Sequence, residues 1–174
     1  PAAMEPQLMH DFAINAQEYG ILSTFFYYAY VCMQLPVGAL FDRYQPLLLL
    51  ALMTTLCAVG CYLFAHTHNL SIAQLGRFIT GFGGAFAFVG AIKVTTIWFP
   101  ARYLGMLTGA TQALGMLGAA LGESLTAYSI DQIGWRPSMI VSGHLLLLLA
   151  LLFFITYIAS STPQKETREK TIIP

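Results

Sequence analysis

Five stretches of mainly apolar residues follow one another with only a few polar residues between them, and this constrains the chain more than any other feature. They run about 20–41, 46–66, 72–98, 103–129 and 138–159. Roughly 20 such residues in a helix cross the hydrocarbon core of a bilayer. The first two carry no charged residue; the third holds Arg77 and Lys93, the fourth Glu123 and the fifth His144. In lipid every backbone N–H and C=O must be satisfied within the protein, which leaves helices or a closed barrel. Barrel strands alternate in hydropathy over about ten residues, and these runs do not. The expected fold is therefore all-α, a polytopic transmembrane helix bundle.

Composition excludes the soluble alternative. Charged residues make up 9% of the 174, against about 25% in a typical soluble domain. The mean hydropathy is +0.67. Eight Lys and Arg balance eight Asp and Glu, so no nucleic-acid partner is expected; the bilayer is. Cys32, Cys57 and Cys61 all lie in apolar stretches. Cys57 and Cys61 share a helical face, and their spacing suits neither a disulfide framework nor a zinc site. They read as packing residues, and no metal or cofactor is expected.

The connections are short. Residues 42–45 carry Asp42 and Arg43, residues 66–71 end on Ser71, which is placed to cap the next helix, and residues 100–102 and 131–137 complete the set. Loops alternate sides, so Arg43, Arg102, Lys165, Arg168 and Lys170 lie together, against Arg136 alone opposite. The positive-inside rule puts that richer side, with the tail, in the cytoplasm. Residues 1–19 are too short and polar to span, so the chain starts outside and a preceding helix is expected to be missing.

At the first connection, Gly38-Ala39-Leu40-Phe41-Asp42-Arg43 resembles the Gly-x-Leu-x-Asp-Arg signature of the major facilitator superfamily, between that family's second and third helices. Arg77-Phe78-Ile79-Thr80-Gly81-Phe82-Gly83 is similar to the Arg-x-x-x-Gly-x-Gly of its fourth helix, and Trp98-Phe99-Pro100 and Gly134-Trp135-Arg136 are also familiar. The resemblance covers nearly the whole chain, as helices two to six of a twelve-helix transporter. It implies a bacterial inner-membrane protein, an amino-terminal half-bundle over 1–160, and residues 161–174 as the start of the central cytoplasmic loop. It also implies alternating access, proton-coupled or facilitative, about a midplane site, with the other half or a partner chain outside this sequence. Gly38, Asp42 and Arg43 would form the cytoplasmic gate. Gln45-Pro46-Leu47 replace the family's glycine and basic residues there, and Gly115-Met116-Leu117-Gly118 replaces the Gly-Pro pair of drug/proton antiporters.

The segment Lys93–Pro100 looks like transporters of small organic anions, whereas the tyrosine-rich first span and residues 115–123 look like bacterial relatives of the lysosomal dipeptide transporter. Both substrate classes stay open.

Small residues Gly76, Thr80, Gly83, Ala87 and Gly90 follow one face of the third span, as do Gly115, Gly118 and Gly122 on the fourth, where helix backbones can approach closely. Arg77 lies beside the first of these faces. Counted from the span centres, Arg77 and Glu123 both fall roughly 10–12 Å from the bilayer midplane, in the outer half. An Arg77–Glu123 pair is expected, either structural or part of proton or substrate coupling. Lys93, sixteen residues after Arg77, is turned about 160° away and shares a face with Phe82, Phe86 and Val89. That face reads as lipid-exposed, with Lys93 either snorkelling to the headgroups or meeting a substrate anion.

Tyr27, Tyr30 and Gln34 form a polar-aromatic stripe on the first span, suited to a cavity wall or to interhelical hydrogen bonding. Gln112 and Glu123 lie within about 20° of each other on the fourth span and suit the same cavity. His144 reads as a packed or interfacial histidine. Neither a nucleophile elbow nor a phosphate-binding loop is present. The sequence therefore points to a secondary transporter and not an enzyme; an inactive fragment or a half-transporter needing a partner is the first alternative, and a membrane-embedded enzyme, for which only scattered single residues are available, the second.

Overall fold

A computed structural model describes residues 4–170, with side chains through Ser160. The described residues form six α-helices, of which α2 (Ala16–Arg43), α3 (Pro46–His66), α4 (Leu70–Trp98), α5 (Leu104–Ile133) and α6 (Trp135–Lys170) contain the five apolar stretches. A short helix α1 (Glu5–Phe12), unforeseen in the sequence reading, precedes them. α6 stays helical to Lys170, past position 161 where the reading began the cytoplasmic loop; residues 171–174 of that loop lie outside the described residues.

Local chemistry sets the helix boundaries. Asn15 and Glu18 form a capping box: the Asn15 side chain accepts from Glu18 N, and Glu18 accepts from Asn15 N, each at 3.0 Å. Two donors that α2 would otherwise leave unpaired are thereby satisfied. α3 opens on Pro46, whose missing N–H costs nothing in a first turn. The expected Ser71 cap on α4 is replaced by Asn69, whose side chain accepts from Ser71 N at 2.9 Å. α4 begins at Leu70, so Ser71 is already inside the first turn and supplies a donor. Gly134 alone joins α5 to α6, at φ +83°, where a side chain would be strained. This single-residue turn brings Trp135 and Arg136 into the first turn of α6.

α4 packs between α2 and α3, and α3 also packs against α6. The small face of α4 makes this possible. A Cβ at Gly83 would meet Cys57 Sγ and the Met53 carbonyl at 2.6 Å, and one at Gly76 would meet the Gly60 carbonyl at 3.0 Å. Gly81 lies against the Phe26 carbonyl of α2. By contrast, Gly115, Gly118 and Gly122 have nothing within 4 Å, so the small face of α5 is open. Cys57 Sγ lies 3.5 Å from the Thr80 carbonyl, and all three cysteines are free.

Two buried clusters hold the bundle, one at each end. Leu8, Leu22, Phe64, Ala73, Ile130 and Trp135 form that at the α1 end. Val37, Phe41, Leu49, Leu50, Ala85 and Phe86 form that toward the other end.

Candidate functional site

A cavity of about 630 Å3 opens in the half of the bundle nearest α1. Tyr19, Ser23 and Tyr27 line it from α2, Arg77 from α4, and Ala119, Gly122, Glu123 and Thr126 from α5. Met4 and Glu5 close its α1 side, and Met139 adds a wall from α6. The α2 residues recur every four positions, so one helical stripe faces the space.

Arg77 is the most constrained group in it. Its guanidinium lies 4.5 Å from the Phe64 ring centroid, a cation–π contact made in a desolvated setting. Its Nε is enclosed and has no hydrogen-bond partner. A cation held in a membrane at this depth is costly unless something neutralises it. Glu123 lines the same cavity but is exposed, and no Arg77–Glu123 ion pair forms. Among the described residues the ion pairs are His10–Asp11, Lys93–Asp42 and Arg136–Asp11. α5 touches α4 only lightly, so the two charges share a space without closing on each other.

The remaining sequence-predicted residues divide. Tyr27 reaches the cavity and is largely exposed. Tyr30 instead stacks on Phe26, with centroids 6.0 Å apart, and packs against the cluster around Phe86. Gln34 and Gln112 are exposed and do not line the cavity. Gln112 shares the direction of Glu123 but is displaced by about 16 Å along α5. His144 is exposed and meets the Tyr62 ring edge-on at 5.5 Å.

Lys93 requires a correction. Its face is not lipid-exposed: Phe86 is fully buried, and Phe82 and Val89 pack against the same cluster. Lys93 Nζ donates to Asp42 Oδ1 at 2.7 Å, in a pair open to solvent. The reason is that α4 has protein on two opposite flanks, so 160° of rotation leads from one neighbour to another. Of the other gate residues, Gly38 has open space where a Cβ would stand, and Arg43 is exposed.

The sequence profile of the Major Facilitator Superfamily matches residues 1–173. The chain belongs to this superfamily. It is 28% identical to the uncharacterized transporter YybO of Bacillus subtilis over 152 residues, which is 87% of this chain and 35% of YybO. Against the probable sulfoacetate transporter SauU of Cupriavidus necator the identity is 26% over 163 residues, 94% of this chain and 37% of SauU. The hexuronate transporter of Escherichia coli K12 is 26% identical over 156 residues, 90% of this chain and 36% of its own length. The chain thus spans about a third of the length of these relatives, and the facilitator fold explains the multi-pass helical architecture of its described residues.

Sequence reasoning missed Glu5, Tyr19 and Ser23 in the cavity wall. A signal for α1 was present: the Asn15–Glu18 capping box marks where α2 begins, leaving the Glu5–Phe12 segment as a separate element.

Proposed function

We propose that this facilitator chain is the amino-terminal part of a secondary active transporter for a small organic anion, working by alternating access. The observation that carries it is Arg77, a desolvated guanidinium whose Nε has no hydrogen-bond partner, facing a cavity large enough for a small solute. A carboxylate or sulfonate seated there would supply charge-assisted hydrogen bonds. The names of the relatives, a hexuronate and a probable sulfoacetate transporter, share that anionic chemistry. Tyr19, Tyr27 and Ser23 would hydrogen-bond the rest of the solute.

Glu123 is the candidate coupling group. Protonated, it would lower the negative charge of the cavity and favour entry of an anion; ionised, it would compete for Arg77. Proton symport follows from that competition. The same reading places the protein in a bacterial inner membrane, with Asp42, Arg102 and the tail cytoplasmic and α1 outside. As its named relatives are transporters, we read it as a carrier and not an enzyme.

Uptake of labelled galacturonate, sulfoacetate and a dipeptide into proteoliposomes of the full-length protein tests this. Accumulation of an anion driven by an inward proton gradient, and its loss in Arg77→Gln, is the expected result. Anion uptake unchanged by Arg77→Gln would overturn the role of Arg77, and uptake of the dipeptide alone would overturn the substrate class.

A further inference from the structure

Helix α1 is eight residues long, too short to hold its conformation alone, so its position depends on what grips it. Asp11 Oδ2 accepts from Trp135 Nε1 at 2.9 Å and from Arg136 Nε at 3.4 Å. Gln7 Oε1 accepts from Trp135 N at 3.1 Å. Arg136 Nη1 in turn donates to the carbonyls of Ala65 and Thr67, both at 2.8 Å, which anchors the cluster on the end of α3. Leu8, fully buried beneath α1, sits in the cluster with Phe64 and Trp135.

The other end of α1 faces the cavity, through Met4 and Glu5. The link to α2 turns on Ala13, a left-handed residue at φ 51°, ψ 44°, a conformation in which an alanine is strained. Contact also runs inward: the Trp135 ring lies 5.4 Å from that of Phe64, whose face carries Arg77.

We propose that α1 is a strap across the mouth of the cavity, and that Asp11, by gripping Trp135 and Arg136, sets how freely solute enters from that end. The proposal rests on the reading of this cavity as the solute path. Asp11 touches no solute; it is a positioning residue acting through α1.

The test uses the full-length transporter in membranes, in a cysteine-free background carrying Ser23→Cys in the cavity wall. The rate of reaction with a membrane-impermeant maleimide applied from the α1 side reads how often the strap opens. Losing a charge-assisted hydrogen bond shifts such an opening by about tenfold, so Asp11→Asn should label about ten times faster than its parent. An equal or slower rate would overturn the proposal. If Asp11→Asn does not accumulate folded, Gln7→Ala removes the second tie and carries the same two outcomes. Labelling needs no solute, so a failed uptake screen leaves this result standing, and the two ideas fail separately.

Discussion

Lys93 Nζ donates to Asp42 Oδ1 at 2.7 Å, joining the last turn of α2 to α4 across 51 residues of sequence. Asp42 belongs to the facilitator signature, and in this chain its charge is met from α4 within the same bundle. The pair is open to solvent, with 35% of the Lys93 side chain and 71% of the Asp42 side chain accessible. Exposed pairs of this kind contribute about 0.2–1 kcal/mol. Lys93→Met and Asp42→Asn should each lower the thermal midpoint slightly, and the double variant should cost no more than either single one. Thermal unfolding of the four proteins measures the coupling directly.

The glycines predict a sharper contrast. Gly83→Ala forces a methyl against the Met53 carbonyl, which is backbone and cannot swing aside. Overpacking of this kind costs about 1–3 kcal/mol, so the yield of monodisperse protein should fall. Gly109 on α5 has nothing within 4 Å, and alanine there gains up to about 1 kcal/mol of helix propensity. Size-exclusion profiles and thermal midpoints of the two variants should separate clearly.

Asp11 should show in a pH titration. The hydrogen bond from Trp135 Nε1 chiefly, with those from His10 and Arg136, holds its carboxyl below the ordinary value of 3.8 despite burial. A depressed carboxylate contributes stability that is complete above its unfolded value and lost as pH falls through its folded one. In a Trp98→Phe background, where Trp135 is the one tryptophan, its emission should therefore stay constant from pH 7 to about 5 and change only at more acid pH. In Asp11→Asn that acid transition should be absent.

Arg77→Met should separate stability from function. Replacing an enclosed cation that has no ion-pair partner by a flexible apolar side chain removes its desolvation cost, so the thermal midpoint should hold or rise. Anion uptake should nonetheless drop at least about tenfold, the loss of a single charge-assisted contact. A thermal midpoint that holds while uptake disappears would identify Arg77 as a binding group; collapse of both would make it structural.

Much of this protein is legible without coordinates. Apolar runs long enough to cross a bilayer dictate helices, because lipid offers backbone groups no other partner. Gly76, Gly83 and Gly90 mark a close-packing face by spacing alone, and the depth count places Arg77 and Glu123 in the same half of the bundle.

Tertiary structure decided the rest, since rotation about one helix says where a side chain points but not what stands there. Lys93 points away from Arg77 as its spacing requires, yet meets Asp42 and not lipid, because α2 and α3 cover both flanks of α4. Gln112 shares a direction with Glu123 but lies about three turns away from it and outside the cavity wall. The grip of Asp11 on Trp135 spans 124 residues, a relation that no local pattern encodes and that exists only once the ends of α1, α3 and α6 are brought together.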